Sequence, residues 1–190
     1  MVETACRLPF TCEICILAGG LSKRMGRDKA RLRLGPNTMV GHIRATARRT
    51  VWPVRVIRRD LVAHCGPLGG VYTALKTTQS NAVIFLACDM PFVGVEVMDW
   101  LLDEYLSTPR PLFTMYRGRV GFPFLLPRSS IGAVAKQIVR GEFSLQALAR
   151  FLRARKIRVP RELVPQLRNV NTPSEWERAR RLWSRRKSHR

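Results

Sequence analysis

The chain has 190 residues, of which 46% are hydrophobic, so it can bury a full core and global disorder is excluded. Its apolar runs are much shorter than the ~20 residues that span a bilayer, and residues 1–10 lack the apolar centre of a signal peptide. Basic residues number 34 and acidic residues 13, and the net charge of +21 favours anionic ligands. We expect one cytoplasmic domain over residues 1–190 without a membrane partner, with a flexible N-terminus (1–12) and a basic C-terminal tail (178–190).

Strand and helix patterns alternate along the chain, which predicts an α/β fold. The expected architecture is a three-layer αβα domain of the Rossmann-like type with a mostly parallel central sheet. The apolar run 82–88 is typical of a central parallel strand covered on both faces. Strands are predicted at 14–18, 54–57, 82–88, 112–116, 122–126 and 157–159, with a turn at 117–121, and helices at 37–47, from 66, around 97–105, at 131–139, at 144–152 and from 172.

The first predicted strand runs directly into a glycine pair, and this junction carries the strongest functional signal. Residues 16–29 read ILAGGLSKRMGRDK. Glycines let backbone N–H groups approach an anionic ligand closely, and the cations of the same loop suit a polyphosphate. The spacing is that of neither the P-loop nor the dinucleotide-binding fingerprint.

A carboxylate ends a second predicted strand. Asp89 follows the apolar run 82–88 directly. Ligands of open α/β sheets bind beyond the carboxyl ends of the strands, so we expect Asp89 and the glycine loop on one rim. A carboxylate there suits Mg²⁺, which shares oxygen ligands with phosphates. The alternative for an Asp at a strand end is a turn or a helix cap.

Two further segments combine special residues with a predicted helix start. Residues 66–70, Gly-Pro-Leu-Gly-Gly, place free N–H groups where a helix dipole favours anions, although such a segment also simply starts a helix. Asn169 and Asn171 alternate in an extended segment, point the same way, and suit the edge of a heterocycle or only shape a turn. Thr172 and Glu175 then have the spacing of a capping box.

These segments together resemble the motifs of one family, the MobA family of molybdenum cofactor guanylyltransferases. Residues 17–29 resemble its L-A-G-G-x-S-x-R-M-G-x-D-K signature, and 88–91 its C-D-x-P metal motif. Residues 66–70 resemble G-P-L-x-G, residues 169–173 resemble N-x-N-T-P, and residues 141–145 resemble the less specific G-x-x-S-L. The resemblance covers most of the chain, from about Ile14 to Trp176.

The resemblance implies transfer of GMP from GTP to molybdenum-molybdopterin, with release of pyrophosphate. It implies Mg²⁺ as the cofactor, held by Asp89, and GTP and the molybdopterin cofactor as partners, with molybdoenzymes or their chaperones as further partners. Arg24 and Lys29 would neutralise the leaving pyrophosphate and, with Asp89, form the catalytic set. The binding residues implied for GTP and the pterin are Leu17, Ala18, Gly19, Gly20, Ser22, Gly26, Lys29, Asp60, Gly66, Pro67, Leu68, Asn169 and Asn171.

The stretch between Lys29 and Asp60 departs from the family pattern. Lys29 and Asp60 are 31 positions apart, which allows one helix and one short strand, where family members usually have a helix, a strand and another helix. The Asn that ends that strand at the guanine site has no counterpart here. A cytidylyltransferase or another nucleotidyltransferase on the same scaffold, and a non-catalytic nucleotide- or pterin-binding homologue, therefore stay as alternatives. Asp60 itself either contacts the guanosine, as the resemblance implies, or pairs with Arg58 or Arg59.

Two other features of the chain have simple explanations. The basic residues after position 178 would suit RNA, but no RNA-binding motif accompanies them, and a solvated terminus is the favoured explanation. Five unevenly spaced cysteines do not predict a disulfide framework. Cys12 and Cys15 would form at most half of a metal site, and Cys15 is expected as a small buried hydrophobic residue.

Overall fold

The computed structural model describes residues 10–19, 32–116 and 118–187. Six strands in these ranges form one sheet, and two short strands form a separate antiparallel hairpin. The sheet contains β1 (Cys12–Leu17), β4 (Val54–Ile57), β5 (Ala82–Ala87), β6 (Leu112–Tyr116), β7 (Arg119–Pro127) and β8 (Arg155–Arg158), and the hairpin contains β2 (Arg33–Leu34) and β3 (Asn37–Thr38).

Six α-helices connect these strands within the described ranges. Two short 3₁₀ turns, Arg128–Ser130 and Val164–Leu167, precede α4 and follow β8 respectively. The helices are α1 (Met39–Ala47), α2 (Pro67–Thr77), α3 (Val95–Ser107), α4 (Ile131–Val139), α5 (Leu145–Phe151) and α6 (Pro173–Lys187). The predicted helix start at Gly66 is confirmed. The helix predicted from residue 37 begins at Met39 instead, because Asn37 and Thr38 form β3, and Thr38 caps α1 by accepting a hydrogen bond from the Gly41 N–H at 3.0 Å.

The sheet has the strand order β4-β1-β5-β7-β6-β8 and is mostly parallel, as predicted. β1 pairs in parallel with β4 and β5, and β6 pairs in parallel with β8, whereas β7 is antiparallel to both of its neighbours. The prediction of a central parallel strand at 82–88 is therefore correct on one side only. β7 returns from its hairpin with β6 and inserts between β5 and β6 in the opposite direction.

Helices cover both faces of the sheet, which gives the predicted three layers. The strictly alternating side chains of β1 show the division, because Ile14 and Ile16 enter one apolar cluster and Cys15 and Leu17 enter the other. The first cluster includes α1 and α3, and the second includes α2, α4 and α5. Every residue of β1 is buried.

The cysteines of β1 are part of the core. Burial raises the pKa of Cys12 and of Cys15 to about 12, so both thiols stay protonated at neutral pH. Their side chains point to opposite faces of the sheet. The alternative of a metal half-site is therefore wrong, and the expectation of a buried hydrophobic Cys15 is confirmed.

A third, smaller apolar cluster joins the C-terminal helix to the hairpin. Leu34, Met39, Phe92, Val170 and Ala179 form its buried centre. α6 extends through Lys187, so the basic segment is helical up to that residue. None of the helices in the described ranges is long and apolar enough to cross a membrane.

Two segments differ in detail from the sequence prediction. The turn predicted at 117–121 is shorter, because β7 begins at Arg119 and Tyr116 pairs directly with Arg119. β8 begins at Arg155, two residues before its predicted start. Between the glycine loop and Asp60, the described residues supply one helix and one strand of the main sheet, as expected from the shortened sequence, and add the β2–β3 hairpin.

Candidate functional site

Three parallel strands end together at one edge of the sheet. Leu17 is level with Ala87 of β5 and with Ile57 of β4. The Ala18 N–H donates to the Ile57 carbonyl at 2.8 Å, and the Cys88 N–H donates to the Leu17 carbonyl at 3.1 Å. The segments that follow β1, β4 and β5 therefore start at one edge, as the sequence predicts for the glycine loop and Asp89.

The start of the glycine loop lies at this edge. Gly19 is exposed and lies two residues beyond the end of β1, whereas the side chain of Leu17 is buried against α2. Leu17 could therefore reach a ligand only through its backbone. The other predicted residues of this loop lie outside the described residues: Gly20, Ser22, Arg24, Gly26 and Lys29.

Asp60 lies in a cradle of glycines beside the end of β1. A Cβ added to Gly19 would lie 3.5 Å from Asp60 Oδ1, and one added to Gly69 would lie 2.6 Å from Asp60 Oδ2. Burial raises the pKa of Asp60 above its ordinary value. No ion pair joins it to Arg58 or Arg59, all three of which are described, so the pairing alternative is not observed.

The first turn of α2 closes this side of the edge. Gly66 precedes the helix with a φ of 54°, a conformation that favours glycine, and Pro67 takes the first helical position. The Thr73 hydroxyl donates to the Gly69 carbonyl and accepts from the Leu61 N–H, both at 2.8 Å. These bonds fix the segment after β4, which carries Asp60, against the helix. Pro67 and the buried Leu68 shape this turn.

Asp89 connects the edge where β1, β4 and β5 end to the predicted asparagine segment, residues 169–171. Its backbone carbonyl accepts a hydrogen bond of 2.8 Å from the Val170 N–H. Val170 is buried in the third cluster, and its neighbours Asn169 and Asn171 are on either side of it in sequence. This bond therefore holds the asparagine segment against the backbone of Asp89.

Asn169 and Asn171 both line a cleft of about 640 Å³. The predicted capping box of α6 holds this segment, because the Glu175 carboxylate accepts from the Asn171 N–H at 2.8 Å and the Thr172 N–H at 3.0 Å. The Glu175 N–H in turn donates to the Thr172 hydroxyl at 3.2 Å. The asparagine segment is thus fixed by its own helix start.

Four further polar residues line the same cleft and were missed by the sequence analysis: Tyr116, Arg119, Arg168 and Arg178. They come from the β6–β7 hairpin, from the segment before Asn169 and from α6. Only Arg168 could have been suggested by its place beside a motif. No spacing in the sequence connects residues 116, 119 and 178.

The less specific segment at 141–145 has a local structural role. The Ser144 hydroxyl accepts from the Ala147 N–H at 3.1 Å, so it caps α5. Phe143 lies beside Gly66, 3.7 Å from the position of an added Cβ there. The segment therefore packs against the start of α2.

Residues 14–159 match the family of MobA-like NTP transferase domains. The chain belongs to this family. A MobA-like relative from Opitutus terrae, named a probable molybdenum cofactor guanylyltransferase, is 32% identical, and the alignment covers 87% of this chain and 93% of the relative. The family is one of nucleotidyltransferases, so the chain belongs to an enzyme family.

Solved structures with the same fold extend beyond the MobA-like proteins. Molybdopterin-guanine dinucleotide biosynthesis protein A from Archaeoglobus fulgidus superposes with a TM-score of 0.73 at 19% identity, covering 91% of this chain and 99% of that one. A 2-C-methyl-D-erythritol 4-phosphate cytidylyltransferase from Thermus thermophilus gives a TM-score of 0.68 at 12% identity, covering 92% and 100%. At these identities, the likeness shows the shared nucleotidyltransferase fold alone.

Proposed function

We propose that the protein transfers GMP from GTP to molybdenum-molybdopterin and releases pyrophosphate. The guanine dinucleotide form of the cofactor would be the product, and molybdoenzymes or their chaperones would receive it. Support comes from the family and from a relative, at least 30% identical, that is named a probable guanylyltransferase. The observation that carries the proposal is the hydrogen bond from the Val170 N–H to the backbone carbonyl of Asp89, which joins the segments of the two candidate half-sites.

The nucleotide half-site would lie on the β1 and β4 side of Asp89. Gly19, which has no side chain to obstruct a ligand, lies against Asp60, whose carboxylate can accept hydrogen bonds from a guanine ring or a ribose. The backbone N–H groups at the start of α2 add a favourable dipole for anionic oxygen atoms. Arg24 and Lys29 stay predicted as the cations of the phosphate loop.

The acceptor half-site would be the 640 Å³ cleft on the other side of Asp89. Its volume is within the range of small-molecule sites in proteins, roughly 300–1,000 Å³. Asn169 and Asn171 can each donate to and accept from a pterin edge. Because Glu175 fixes the backbone of Asn171 and the Asp89 carbonyl fixes that of Val170, the segment would orient the acceptor without first having to become ordered.

Magnesium is the proposed cofactor, and Asp89 is its proposed ligand. The described residues contain no group of three or more His, Cys, Asp or Glu side chains placed to hold a metal ion. A single carboxylate still fits Mg²⁺, which commonly takes one or two protein carboxylates and completes its shell with substrate phosphates and water. When bound, the ion would supply charge neutralisation at the phosphate oxygens.

The chemistry requires alignment and charge stabilisation rather than a protein nucleophile. An oxygen of the acceptor phosphate forms a bond to the α-phosphorus of GTP, and the bond from that phosphorus to the oxygen bridging to the β-phosphate breaks. Pyrophosphate carries away the electron pair. The glycine loop and the asparagine segment would hold the two reacting groups on either side of Asp89.

The direct test is the release of pyrophosphate from GTP in the presence of molybdenum-molybdopterin, with and without Mg²⁺. We expect release only with both the acceptor and the ion present, and faster turnover of GTP than of ATP or CTP. We expect Asp89→Asn to lower kcat/KM by about 100-fold or more. Asp103→Asn, which removes an exposed carboxylate on α3, is the matched control.

The alternatives give different results in the same assay. Preferential turnover of CTP would replace guanylyl transfer by cytidylyl transfer. Binding of GTP and of molybdopterin without any release of pyrophosphate would identify a non-catalytic homologue. An Asp89→Asn variant with unchanged turnover would remove Asp89 from the catalytic set.

A further inference from the structure

Three arginines reach the acceptor cleft from three separate parts of the chain. Arg119 begins β7, Arg168 precedes the asparagine segment, and Arg178 lies in the second turn of α6. No ion pair or side-chain hydrogen bond joins any of them to another residue of the described part of the chain. The three guanidinium groups are therefore available to a ligand.

The cleft is cationic because three arginines and one carboxylate, that of Glu175, line it. Glu175 accepts hydrogen bonds from two backbone N–H groups, those of Asn171 and Thr172. Elsewhere in the molecule, arginines next to a carboxylate do pair with it: Arg55 lies 2.7 Å from Glu13, and Arg180 lies 3.3 Å from Glu177. The cleft thus differs from these places in presenting arginines without acidic partners.

The nucleotide side of the edge differs in the groups that surround its carboxylate. Around Asp60 the described residues offer glycines, helix N–H groups and a carboxylate, and Arg58 and Arg59 form no ion pair with it. Guanidinium groups bind phosphate and other planar or multidentate anions strongly, since each offers several N–H donors in a fixed fork. Arg119, Arg168 and Arg178 line the same cleft as the two asparagines, so we expect them to bind the acceptor rather than the nucleotide.

We propose that Arg119, Arg168 and Arg178 bind the negative charges of the acceptor and make the cleft selective for anionic over uncharged pterins. This inference rests on the proposed function for the identity of the acceptor. The asparagines would recognise the pterin edge, and the arginines would add affinity and fix the molecule's orientation relative to Asp89. Tyr116, which also lines the cleft, offers a ring against which the pterin can stack.

The test compares two triple variants with the same loss of positive charge. Arg119→Gln/Arg168→Gln/Arg178→Gln empties the cleft of cations, and Arg110→Gln/Arg161→Gln/Arg181→Gln removes exposed cations that do not line it. Binding of molybdenum-molybdopterin is measured by calorimetry without GTP or Mg²⁺. KM values for GTP and for the acceptor are measured in the complete reaction.

We expect the cleft variant to weaken acceptor binding by at least about tenfold and to raise the acceptor KM equally, with the KM for GTP unchanged. The control variant should change acceptor binding by no more than about twofold. Circular dichroism and thermal unfolding of both variants confirm that each is folded. The single variants Arg119→Lys, Arg168→Lys and Arg178→Lys should each bind the acceptor more weakly than the unmodified protein, since lysine keeps the charge but lacks the guanidinium fork.

Equal effects of the two triple variants would overturn the proposal, because the cleft cations would then act only through the overall charge. A larger effect on GTP than on the acceptor would assign the arginines to the nucleotide. If the unmodified protein transfers no GMP but binds molybdopterin through these arginines, the proposed function fails while the inference stands. If transfer occurs and the cleft variant is normal, only the inference fails.

Discussion

Gly19 and Gly69 both lie beside Asp60, but the space available for a side chain differs between the two positions. At Gly19 an added Cβ would meet the Arg58 carbonyl and Asp60 Oδ1 at 3.5 Å, which is ordinary van der Waals contact. At Gly69 it would lie 2.6 Å from Asp60 Oδ2 and 2.8 Å from the Val62 carbonyl. Packing against the described residues therefore requires glycine at position 69 but leaves room for a methyl group at position 19. We expect that a glycine at position 19 instead allows a ligand to approach the backbone.

We therefore expect Gly19→Ala to fold normally and to bind nucleotide poorly. Its thermal midpoint should change by no more than about 2 °C, while the KM for GTP should rise by about tenfold, as a methyl group forced against a ligand costs about 1–3 kcal/mol. Gly69→Ala should lose about 1–2 kcal/mol of unfolding free energy, since the Val62 carbonyl belongs to the backbone and cannot rotate away. Calorimetric unfolding and GTP kinetics measure the two effects.

Gly70, the residue after Gly69, provides the control for the comparison of Gly19→Ala with Gly69→Ala. An added Cβ at Gly70 would lie 3.1 Å from Leu17 Cδ2, the end of a flexible side chain that can adjust. Alanine is also the better helix former by about 1 kcal/mol. Gly70→Ala should therefore be about as stable as the unmodified protein. A Gly19→Ala protein with unchanged GTP kinetics would show that no ligand lies against this part of the loop.

Asp60 should make the protein less stable as the pH rises. Burial raises its pKa in the folded state, so between the ordinary pKa near 3.8 and the raised value the folded protein binds more protons than the unfolded chain. Stability then falls with increasing pH over that interval, and the charged form carries the whole penalty above it. Asp60→Asn should be more stable than the unmodified protein at pH 7, and the difference should disappear below about pH 4.

Urea unfolding of Asp60→Asn at pH 7 and pH 4 measures this difference. Glu162→Gln, which neutralises an exposed carboxylate, is the control and should have little effect at either pH. The same Asp60→Asn variant should bind GTP more weakly if its carboxylate contacts the guanosine. Lower stability of Asp60→Asn at pH 7 would mean that the start of α2 stabilises the charged carboxylate more than burial penalises it.

Among the elements, those with strong local signals were predicted with the bounds that the structure has. β4 and α4 both match, since apolar residues recur at strand spacing in the first and at helical spacing in the second. The capping box at Thr172 and Glu175 also forms as predicted, because both of its hydrogen bonds join residues three apart. Such patterns involve residues that are close together in the sequence, so they predict an element without knowledge of the rest of the fold.

The direction of β7 could not be read in the same way. Its apolar residues are as buried as those of a parallel strand, because β7 lies between β5 and β6 under helices on both faces. What distinguishes it is a hairpin in which Tyr116 pairs with Arg119, and the predicted turn was too long to show that pairing. Strand order and direction depend on contacts between residues far apart in sequence.

The parts of the site that follow from local sequence signals were predicted, and the parts that depend on contacts between distant segments were missed. Asp89 and Gly19 were predicted to share an edge because each follows a strand directly, and the strand register places them there. The contact of Asp60 with Gly69, and the convergence of Arg119 and Arg178 on one cleft, join segments that no motif relates. Tertiary packing alone brings those groups together.

At the scale of the whole molecule, positive charge is far in excess. The sequence carries 34 basic and 13 acidic residues, and the described ion pairs neutralise only a few of the basic ones. Both proposed substrates are anions, so the field of the protein should draw each of them toward the surface before any specific contact forms. That long-range attraction and the arginines of the cleft act at different stages, the first on encounter and the second on the bound state.

Salt should therefore slow the encounter with both substrates more than it slows the chemical step. At constant Mg²⁺, raising the ionic strength from about 10 to 200 mM shortens the screening length from about 30 Å to under 10 Å. We expect kcat/KM for GTP and for the acceptor to fall by at least about tenfold over this range, with kcat changing by no more than about twofold. A neutral osmolyte at matched osmolarity is the control and should leave both constants nearly unchanged. Values of kcat/KM that do not vary with salt would mean that the excess charge does not act on the substrates. A fall in kcat alone would mean that salt affects the chemical step instead of the encounter.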